Sequence, residues 1–170
     1  MTAGDGPARP SPPVEVVFVC WGNICRSPIA ERVAERMAAE AGLADQVRFT
    51  SAATSREELG EPIDPRARRV LEAHGYRAGG HSAHQITPDE IAGADLVVAA
   101  EPLHVDRMLR MAPDADNLSL LSDYDPAAPE GSGLPDPWYG GPEGFEATLA
   151  AVEAAVPGVL EEVRRRVRPA

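Results

Sequence analysis

The stretch VEVVFVCWGNICRSPIAERVAERMAAEAG (14–42) decides the fold of this chain. Residues 14–20 are almost all apolar, and most are β-branched, as in a strand that is buried on both faces of a parallel sheet. A helix is predicted over 27–42, because apolar residues recur at i, i+4 and i+8 from Ile29 and because Pro28 suits the first turn. A buried strand that leads directly into a helix is typical of an α/β domain.

The rest of the chain repeats this alternation of short apolar runs and helical patterns. Further strands are predicted at 46–52, 95–100 and 117–122, and further helices at 65–76 and 101–111. Together with the first strand, these segments predict a single α/β domain with a four-stranded parallel sheet flanked by helices.

The last third of the chain holds a long loop and a second helical region. Residues 123–141 are rich in Pro, Gly and Asp, and a loop of that length in a compact domain is usually functional. From Pro142 an apolar stripe recurs at helical spacing, but Pro157 and Gly158 interrupt it. The pattern therefore predicts two helices, or one that is sharply kinked.

Length and composition bound the architecture and the compartment. A chain of 170 residues fits one domain, assigned here to 14–168, and the Pro- and Gly-rich segment 1–13 is expected to be a disordered leader. No run of about eighteen apolar residues and no signal-peptide pattern is present, so we expect neither a membrane-spanning nor a conventionally secreted protein. Cys20 and Cys25 are the only cysteines, which favours a reducing, cytoplasmic compartment.

The net charge restricts the partners. A formal charge of −11 opposes binding to nucleic acid, whose phosphate backbone requires a basic surface. The same charge repels any anionic substrate at long range. A phosphate site in this chain must therefore be made attractive by local groups.

Local groups of this kind are present between the first strand and the first helix, at 20–27. The turn directs its unpaired backbone N–H groups, and the positive end of the helix dipole, toward the space beside Cys20, where an anion can bind. Gly22 and Asn23 tolerate the left-handed conformations that such a curl requires. Arg26 adds a planar fork that can hold two phosphate oxygens. The sequence predicts a phosphate-binding loop with Cys20 as its nucleophile; the simpler alternative is a buried strand cysteine.

The loop resembles a known family signature. VCWGNICRSPIAE (19–31) is similar to the pattern V-C-x-G-N-x-C-R-S-P-x-A-E of the low molecular weight protein tyrosine phosphatases, and DPWYG (136–140) resembles the DPYYG acid loop of that family. The family fold is a four-stranded parallel sheet flanked by helices, in agreement with the pattern above. The similarity spans nearly all of 14–168 through the shorter matches SAAT (51–54), DPRA (64–67), AHGY (73–76) and HQIT (84–87).

The resemblance implies a protein tyrosine phosphatase that acts on a phosphotyrosine-containing protein, without metal or other cofactor. Cys20 attacks the phosphate and forms a phosphocysteine, Arg26 clamps the phosphate, and Asp136 donates a proton and later activates water. Ser27 assists the Cys20 sulfur as a leaving group. Substrate binding falls to Trp21, Gly22, Asn23, Ile24, Cys25, Ser27, Trp138 and Tyr139. By the same resemblance, Asn23, Ser51 and His74 support the loop.

Two positions depart from the family pattern and bear on substrate preference. Trp138 and Tyr139 are expected to form an aromatic wall of a pocket deep enough for phosphotyrosine. Trp21 joins the rim where the family usually has a small or aliphatic residue, and Glu57 stands where many relatives have Trp. One aromatic wall is lost and another is gained, so the catalytic interpretation holds while substrate preference stays open.

Other functions compete with this interpretation. An arsenate reductase of the same fold needs redox cysteines downstream of Cys25, which are absent, and does not need Asp136. A protein-arginine phosphatase commonly has Thr where this chain has Ile24. Asp136 alone would be read as a turn residue. A structural zinc site would use Cys20, Cys25, His81 and His84.

Cys25 has no evident catalytic task. A curled loop brings it toward Cys20, so one hypothesis is that Cys25 traps oxidised Cys20 as a disulfide, which would make the site redox-sensitive. The alternative is that Cys25 packs under the loop as a small apolar residue.

Overall fold

The computed structural model describes residues 12–167, so all but two residues of the predicted leader lie outside the described residues. The sheet has the strand order β2-β1-β3-β4, and its three strand pairs are all parallel. The predicted α/β fold with a four-stranded parallel sheet is thereby confirmed. Its strands are β1 (Val14–Cys20), β2 (Val47–Ala53), β3 (Leu96–Ala99) and β4 (Leu118–Leu120).

Helices cover both faces of this sheet. The segment Pro88–Gly93 was not predicted as a helix, because six residues are too few for a helical period to be visible. Its start is nevertheless marked by a capping box between Thr87 and Glu90. The helices are α1 (Arg26–Glu40), α2 (Pro65–Ala73), α3 (Pro88–Gly93), α4 (Pro102–Met111) and α5 (Pro142–Arg166), with short 3₁₀ helices at Leu121–Tyr124 and Pro137–Tyr139.

The C-terminal region forms one helix rather than two. Pro157 lies inside α5 and the helix continues past it, so of the two predicted alternatives the pair of separate helices is wrong and a single helix is present. Packing explains the continuity, because buried residues on both sides of Pro157 face the same core. Gly158 allows a close approach to the 3₁₀ helix Leu121–Tyr124, since a Cβ there would clash with the carbonyl oxygen of Tyr124. Within residues 12–167, no helix is both long and apolar enough to cross a bilayer.

Strand β1 is central and buried on both faces, as its sequence predicts. Alternate residues, among them Phe18 and Cys20, belong to the core between the sheet and helices α1, α2 and α5. Val17 and Val19 point to the opposite core, which includes Ile91 of α3 and Met108 of α4. The two-sided burial makes β1 a rigid base for the loop that follows Cys20.

The carboxyl end of β1 is where the loops of the site meet. Helix α1 leads from β1 to β2 on one side, whereas β3 lies on the other side of β1. Such a change of direction opens a crevice at the carboxyl edge of a parallel sheet. The N–H of Thr54 donates to the Cys20 carbonyl at 2.9 Å, and the N–H of Leu134 donates to the Ala100 carbonyl at 2.7 Å. The first bond places the loop after β2 beside Cys20, and the second places the loop after β4 beside the end of β3.

Candidate active site

Cys20 ends β1 with its side chain directed at the start of α1. Its residue is only 2% exposed, and Sγ lies 3.0 Å from the Ser27 hydroxyl oxygen. The Ser27 N–H also donates to Sγ, at 3.4 Å. A sulfur held between a hydroxyl and a helix N-terminus is in surroundings that favour negative charge. The predicted contact between Ser27 and the sulfur is therefore present.

Asn23 shapes the loop from inside. It is fully buried and has φ of 60°, a left-handed conformation that Asn tolerates better than most residues. Its side-chain amide donates to Ser27 Oγ and to Ser51 Oγ, each at 2.9 Å, as the resemblance implies. Gly22, in contrast, is not in the left-handed region, so that expectation is wrong for it. Its lack of a side chain instead makes room for Glu58, whose Cγ would lie 3.2 Å from a Cβ.

The histidine assigned to loop support is corrected by the structure. His74 follows α2, which packs on α5, and this position places its Nε2 2.9 Å from a carboxylate oxygen of Glu146 at the surface. His81 takes the expected role instead, since its Nε2 donates to the Asn23 carbonyl at 2.6 Å. The His84 N–H donates to Asn23 Oδ1 at 3.2 Å. Nothing local in the sequence distinguishes these histidines, because the loop that carries 81–84 is placed by pairing with the end of β2.

The network continues beneath the loop to Glu31, which sequence reasoning missed. Ser51 Oγ donates to Glu31 Oε1 at 3.4 Å. Burial, reinforced by the nearby charge of Glu35, raises the pKa of Glu31 to about 7. Near neutral pH the carboxyl under Ser51 therefore exchanges between its neutral and charged forms.

Arg26 is fixed by partners on two distant loops. Its residue is 3% exposed, and Nη1 pairs with Glu101 and donates to the Leu134 carbonyl at 2.8 Å. The Glu101 N–H donates to Nδ1 of His104 at 3.1 Å. Burial, followed by the charge of Arg26, lowers the pKa of His104 to about 3, so this imidazole stays neutral. Sequence reasoning missed Glu101, which orients the guanidinium from the start of α4.

Asp136 approaches the loop 20–26 from the segment that precedes α5. Its Oδ2 lies 3.6 Å from Arg26 Nη2, and its Oδ1 accepts a hydrogen bond from the Trp138 N–H at 3.0 Å. The side chain is 41% exposed, so it can meet both substrate and water. The Cys20 sulfur, the Arg26 guanidinium and the Asp136 carboxyl therefore surround one space.

That space is a cavity of about 320 Å³ above the loop. Its floor is formed by the residues of the loop 20–26 other than Asn23, and Trp138 and Tyr139 stand at its edge, 41% and 93% exposed. Ser27, Ser51 and Asn23 lie beneath the floor and support it. The lining residues are Cys20, Trp21, Gly22, Ile24, Cys25, Arg26, Glu57, Glu58, Asp136, Trp138 and Tyr139.

Trp21 and Glu57, the two departures from the family pattern, contact each other in the structure. The Trp21 indole N–H donates to Glu57 Oε2 at 3.0 Å. The Arg107 guanidinium lies 4.4 Å from the centroid of the Trp21 ring, and Arg107 also donates to the Thr54 carbonyl at 3.1 Å. The carboxylate at position 57 therefore holds Trp21 in place as the replacement wall of the cavity.

Cys25 lines the same cavity and is buried. Burial, followed by the negative charge of Asp64, raises the pKa of its thiol. The four zinc-site candidates do not converge, because Nε2 of His81 faces the Asn23 carbonyl and Nε2 of His84 lies 2.8 Å from Glu90. In the part of the chain that the structure describes, no three or more His, Cys, Asp or Glu side chains are grouped to hold a metal ion.

Known proteins with similar sequences include low molecular weight phosphatases. A family model for low molecular weight phosphotyrosine protein phosphatases matches residues 15–169. A low molecular weight protein-tyrosine-phosphatase of Streptomyces coelicolor is 46% identical over 156 residues, which cover 89% of this chain and 94% of that protein. Low molecular weight protein-tyrosine phosphatase A of Mycobacterium bovis is 39% identical over 158 residues, 92% of this chain and 96% of that protein.

Solved structures agree with these sequence relatives. YfkJ from Bacillus subtilis superposes with a TM-score of 0.85 at 25% identity, over 92% of this chain and 98% of that chain. A protein tyrosine phosphatase from Entamoeba histolytica superposes with a TM-score of 0.84 at 25% identity, over 90% of this chain and 98% of that chain. Because the family model spans nearly the whole sequence, this chain belongs to the low molecular weight phosphotyrosine protein phosphatase family.

Proposed function

We propose that this protein-tyrosine phosphatase hydrolyses phosphotyrosine in a partner protein through a phosphocysteine formed on Cys20. One observation carries the proposal: the Cys20 sulfur, the Arg26 guanidinium and the Asp136 carboxyl line a single cavity at the end of β1. No cofactor enters the proposed reaction.

In the first step the Cys20 thiolate attacks phosphorus in line with the tyrosyl oxygen. The P–S bond forms as the P–O bond breaks, and the departing oxygen takes the proton of Asp136. Arg26 and the backbone N–H groups of the loop hold the equatorial oxygens, where negative charge accumulates. Arg26 is ready for this task because Glu101 and the Leu134 carbonyl already orient its guanidinium.

In the second step the Asp136 carboxylate removes a proton from water, which attacks phosphorus and releases inorganic phosphate. The P–S bond breaks and the electron pair returns to Cys20. Ser27 Oγ, 3.0 Å from the sulfur, donates a hydrogen bond that stabilises the leaving thiolate. Asn23 holds Ser27 in that position from the other side.

The walls of the cavity favour an aryl phosphate. Trp21 and Trp138 offer flat apolar surfaces on which a phenol ring can pack. Ile24 lines the floor where a protein-arginine phosphatase commonly has Thr. An arsenate reductase needs downstream cysteines that the chain lacks. Tyrosine therefore remains the favoured phosphoamino acid.

We expect kcat/KM for a phosphotyrosine peptide to exceed that for matched phosphoserine and phosphoarginine peptides by at least about 100-fold, or about 2.7 kcal/mol of transition-state binding. A short serine phosphate cannot reach Cys20 and pack on Trp21 and Trp138 together. The measurement is phosphate release from three peptides of otherwise identical sequence, with a chelator present. Preference for phosphoarginine, or loss of activity in the chelator, would contradict the proposal.

We also propose that Cys25 protects Cys20 from irreversible oxidation. Hydrogen peroxide transfers one oxygen to the Cys20 thiolate, which becomes a sulfenic acid, and the other oxygen of the peroxide leaves as hydroxide. The Cys25 sulfur then attacks the Cys20 sulfur and forms a disulfide, while the hydroxyl of the sulfenic acid leaves as water with the thiol proton. Both sulfurs line one cavity, and both cysteines are free and buried in the reduced protein. A nucleophile that must remain a free thiol is consistent with a reducing, cytoplasmic compartment.

After peroxide inactivation, the Cys25→Ala variant is expected to recover less than about half of the fraction of activity that wild type recovers with dithiothreitol. The raised pKa keeps Cys25 mostly a thiol, which attacks more slowly than a thiolate. Peroxide should therefore be added slowly, so that disulfide formation can compete with further oxidation of Cys20. Each recovery is expressed relative to the initial activity of the same protein. Equal recovery would show that Cys25 gives no protection.

A further inference from the structure

We propose that Arg66 is a positioning residue that fixes the Asp136 loop above the phosphate-binding loop. The inference rests on the proposed function, in which Asp136 is the proton donor. Arg66 lies on α2, outside the cavity lining, and none of the roles described above uses it. Its side chain is 34% exposed, but its contacts join two segments that are far apart in sequence.

One end of this connection is the acid loop. Arg66 Nη1 donates to the carbonyl oxygen of Trp138 at 3.1 Å. Its guanidinium carbon also lies 4.7 Å from the centroid of the Trp138 ring and 4.7 Å from that of Phe145 in α5. A planar cation that contacts two aromatic rings and a carbonyl restrains the Trp138 backbone and side chain together.

The other end is the phosphate-binding loop, reached through Asp64. Arg66 Nε and Nη2 donate to the two carboxylate oxygens of Asp64, each at 3.1 Å. Burial alone would raise the pKa of Asp64, but the hydrogen bonds from Arg66 outweigh it and hold that pKa below its usual value. The Asp64 N–H donates to the Ile24 carbonyl at 2.9 Å. Arg66 is thus connected to the loop 20–26 through one buried residue, whose carboxylate accepts from Arg66 and whose backbone N–H donates to that loop.

Asp136 lies between two such restraints. Two residues before it, the Leu134 carbonyl accepts from Arg26; two residues after it, the Trp138 carbonyl accepts from Arg66. Pro135 and Pro137 limit the backbone between these points. Losing one restraint leaves the loop intact but lets the carboxyl move, and a displacement of about 1 Å at a reacting group can cost about 100-fold in rate.

The test compares Arg66→Lys, Arg66→Ala and the control Arg69→Ala, a change at an exposed arginine of the same helix. Lysine keeps the charge but has neither the fork for Asp64 nor the planar face for Trp138. For each variant, kcat/KM is measured with phenyl phosphate, a poor leaving group, and with p-nitrophenyl phosphate, a good one. Circular dichroism and Tm verify folding, and inhibition by inorganic phosphate reports the phosphate loop.

Both Arg66 variants are expected to lose about 10- to 100-fold on phenyl phosphate and much less on p-nitrophenyl phosphate, with inorganic phosphate inhibition retained. Combined with Asp136→Asn, they should cause little additional loss, because the group they position is already gone. Arg69→Ala should match wild type.

Three results would overturn the role of Arg66 while leaving the proposed function in place. The Arg66 variants could lose equally on both substrates, they could lose nothing, or their losses could add to the loss caused by Asp136→Asn. If Asp136→Asn itself is insensitive to the leaving group, Asp136 is not the proton donor, and the positioning role of Arg66 fails with it.

Discussion

Replacing Cys20 by serine is expected to lower kcat/KM for p-nitrophenyl phosphate by at least about 10⁵-fold, because removal of a nucleophile eliminates the covalent route altogether. A serine hydroxyl is a far weaker nucleophile than a thiolate, and the groups that contact this atom, the Ser27 hydroxyl and the Ser27 N–H, are not bases that could activate it. The oxygen is also smaller than sulfur and lies farther from phosphorus.

Binding should survive this change, because the backbone of the loop and Arg26 remain. Titration calorimetry with inorganic phosphate is therefore the matched control, and its Kd should stay within about threefold of the wild-type value. Arg26→Ala, by contrast, is expected to lose phosphate binding together with turnover. Residual activity of Cys20→Ser above about 1% of wild type would show that Cys20 is not the nucleophile.

Asp136→Asn is expected to lower kcat/KM for phenyl phosphate by about 10²–10⁴-fold, the usual contribution of a positioned general acid. The loss on p-nitrophenyl phosphate should be much smaller, because p-nitrophenolate leaves without a proton. Asparagine has the size of aspartate, and its carbonyl oxygen can still accept the hydrogen bond from the Trp138 N–H. The loop should therefore keep its shape.

A series of aryl phosphates with phenols of graded pKa gives the sharpest measurement. The wild-type kcat/KM should depend weakly on leaving-group pKa, and the Asp136→Asn values should fall steeply as that pKa rises. If plots of log kcat/KM against leaving-group pKa have the same slope for the two enzymes, Asp136 is not the proton donor. A fall in the Tm of the variant would point instead to damage in the loop, so thermal unfolding is measured alongside.

The sequence alone was sufficient where the determinants are local. The apolar, β-branched composition of 14–20 predicted a strand buried on both faces, and the structure places its alternate side chains in two cores. The strand pattern up to Cys20 and the helical pattern from Ser27 predicted a loop that ends at a helix N-terminus, and α1 begins at Arg26. Asn23 takes the left-handed conformation that its position suggested.

Local rules failed where packing decided the outcome. Pro157 left open two C-terminal helices or one sharply kinked helix, and the buried stripe of α5 continues through it as one helix. Gly22 does not adopt a left-handed conformation; its lack of a side chain leaves room for the side chain of Glu58. The resemblance assigned loop support to His74, but His74 contacts Glu146, and His81 is the histidine whose ring reaches Asn23.

What the sequence by itself determined is therefore the family, the fold and the chemical groups on one short loop, since strand burial, helix starts and turn conformations depend on neighbouring residues. What only the tertiary structure decided is which distant groups surround that loop. Glu101 and Leu134 contact Arg26 across 75 and 108 positions, and Arg66 contacts Trp138 across 72. Such partners are set by which loops the carboxyl edge of the sheet brings together, and no local pattern of residues encodes that arrangement.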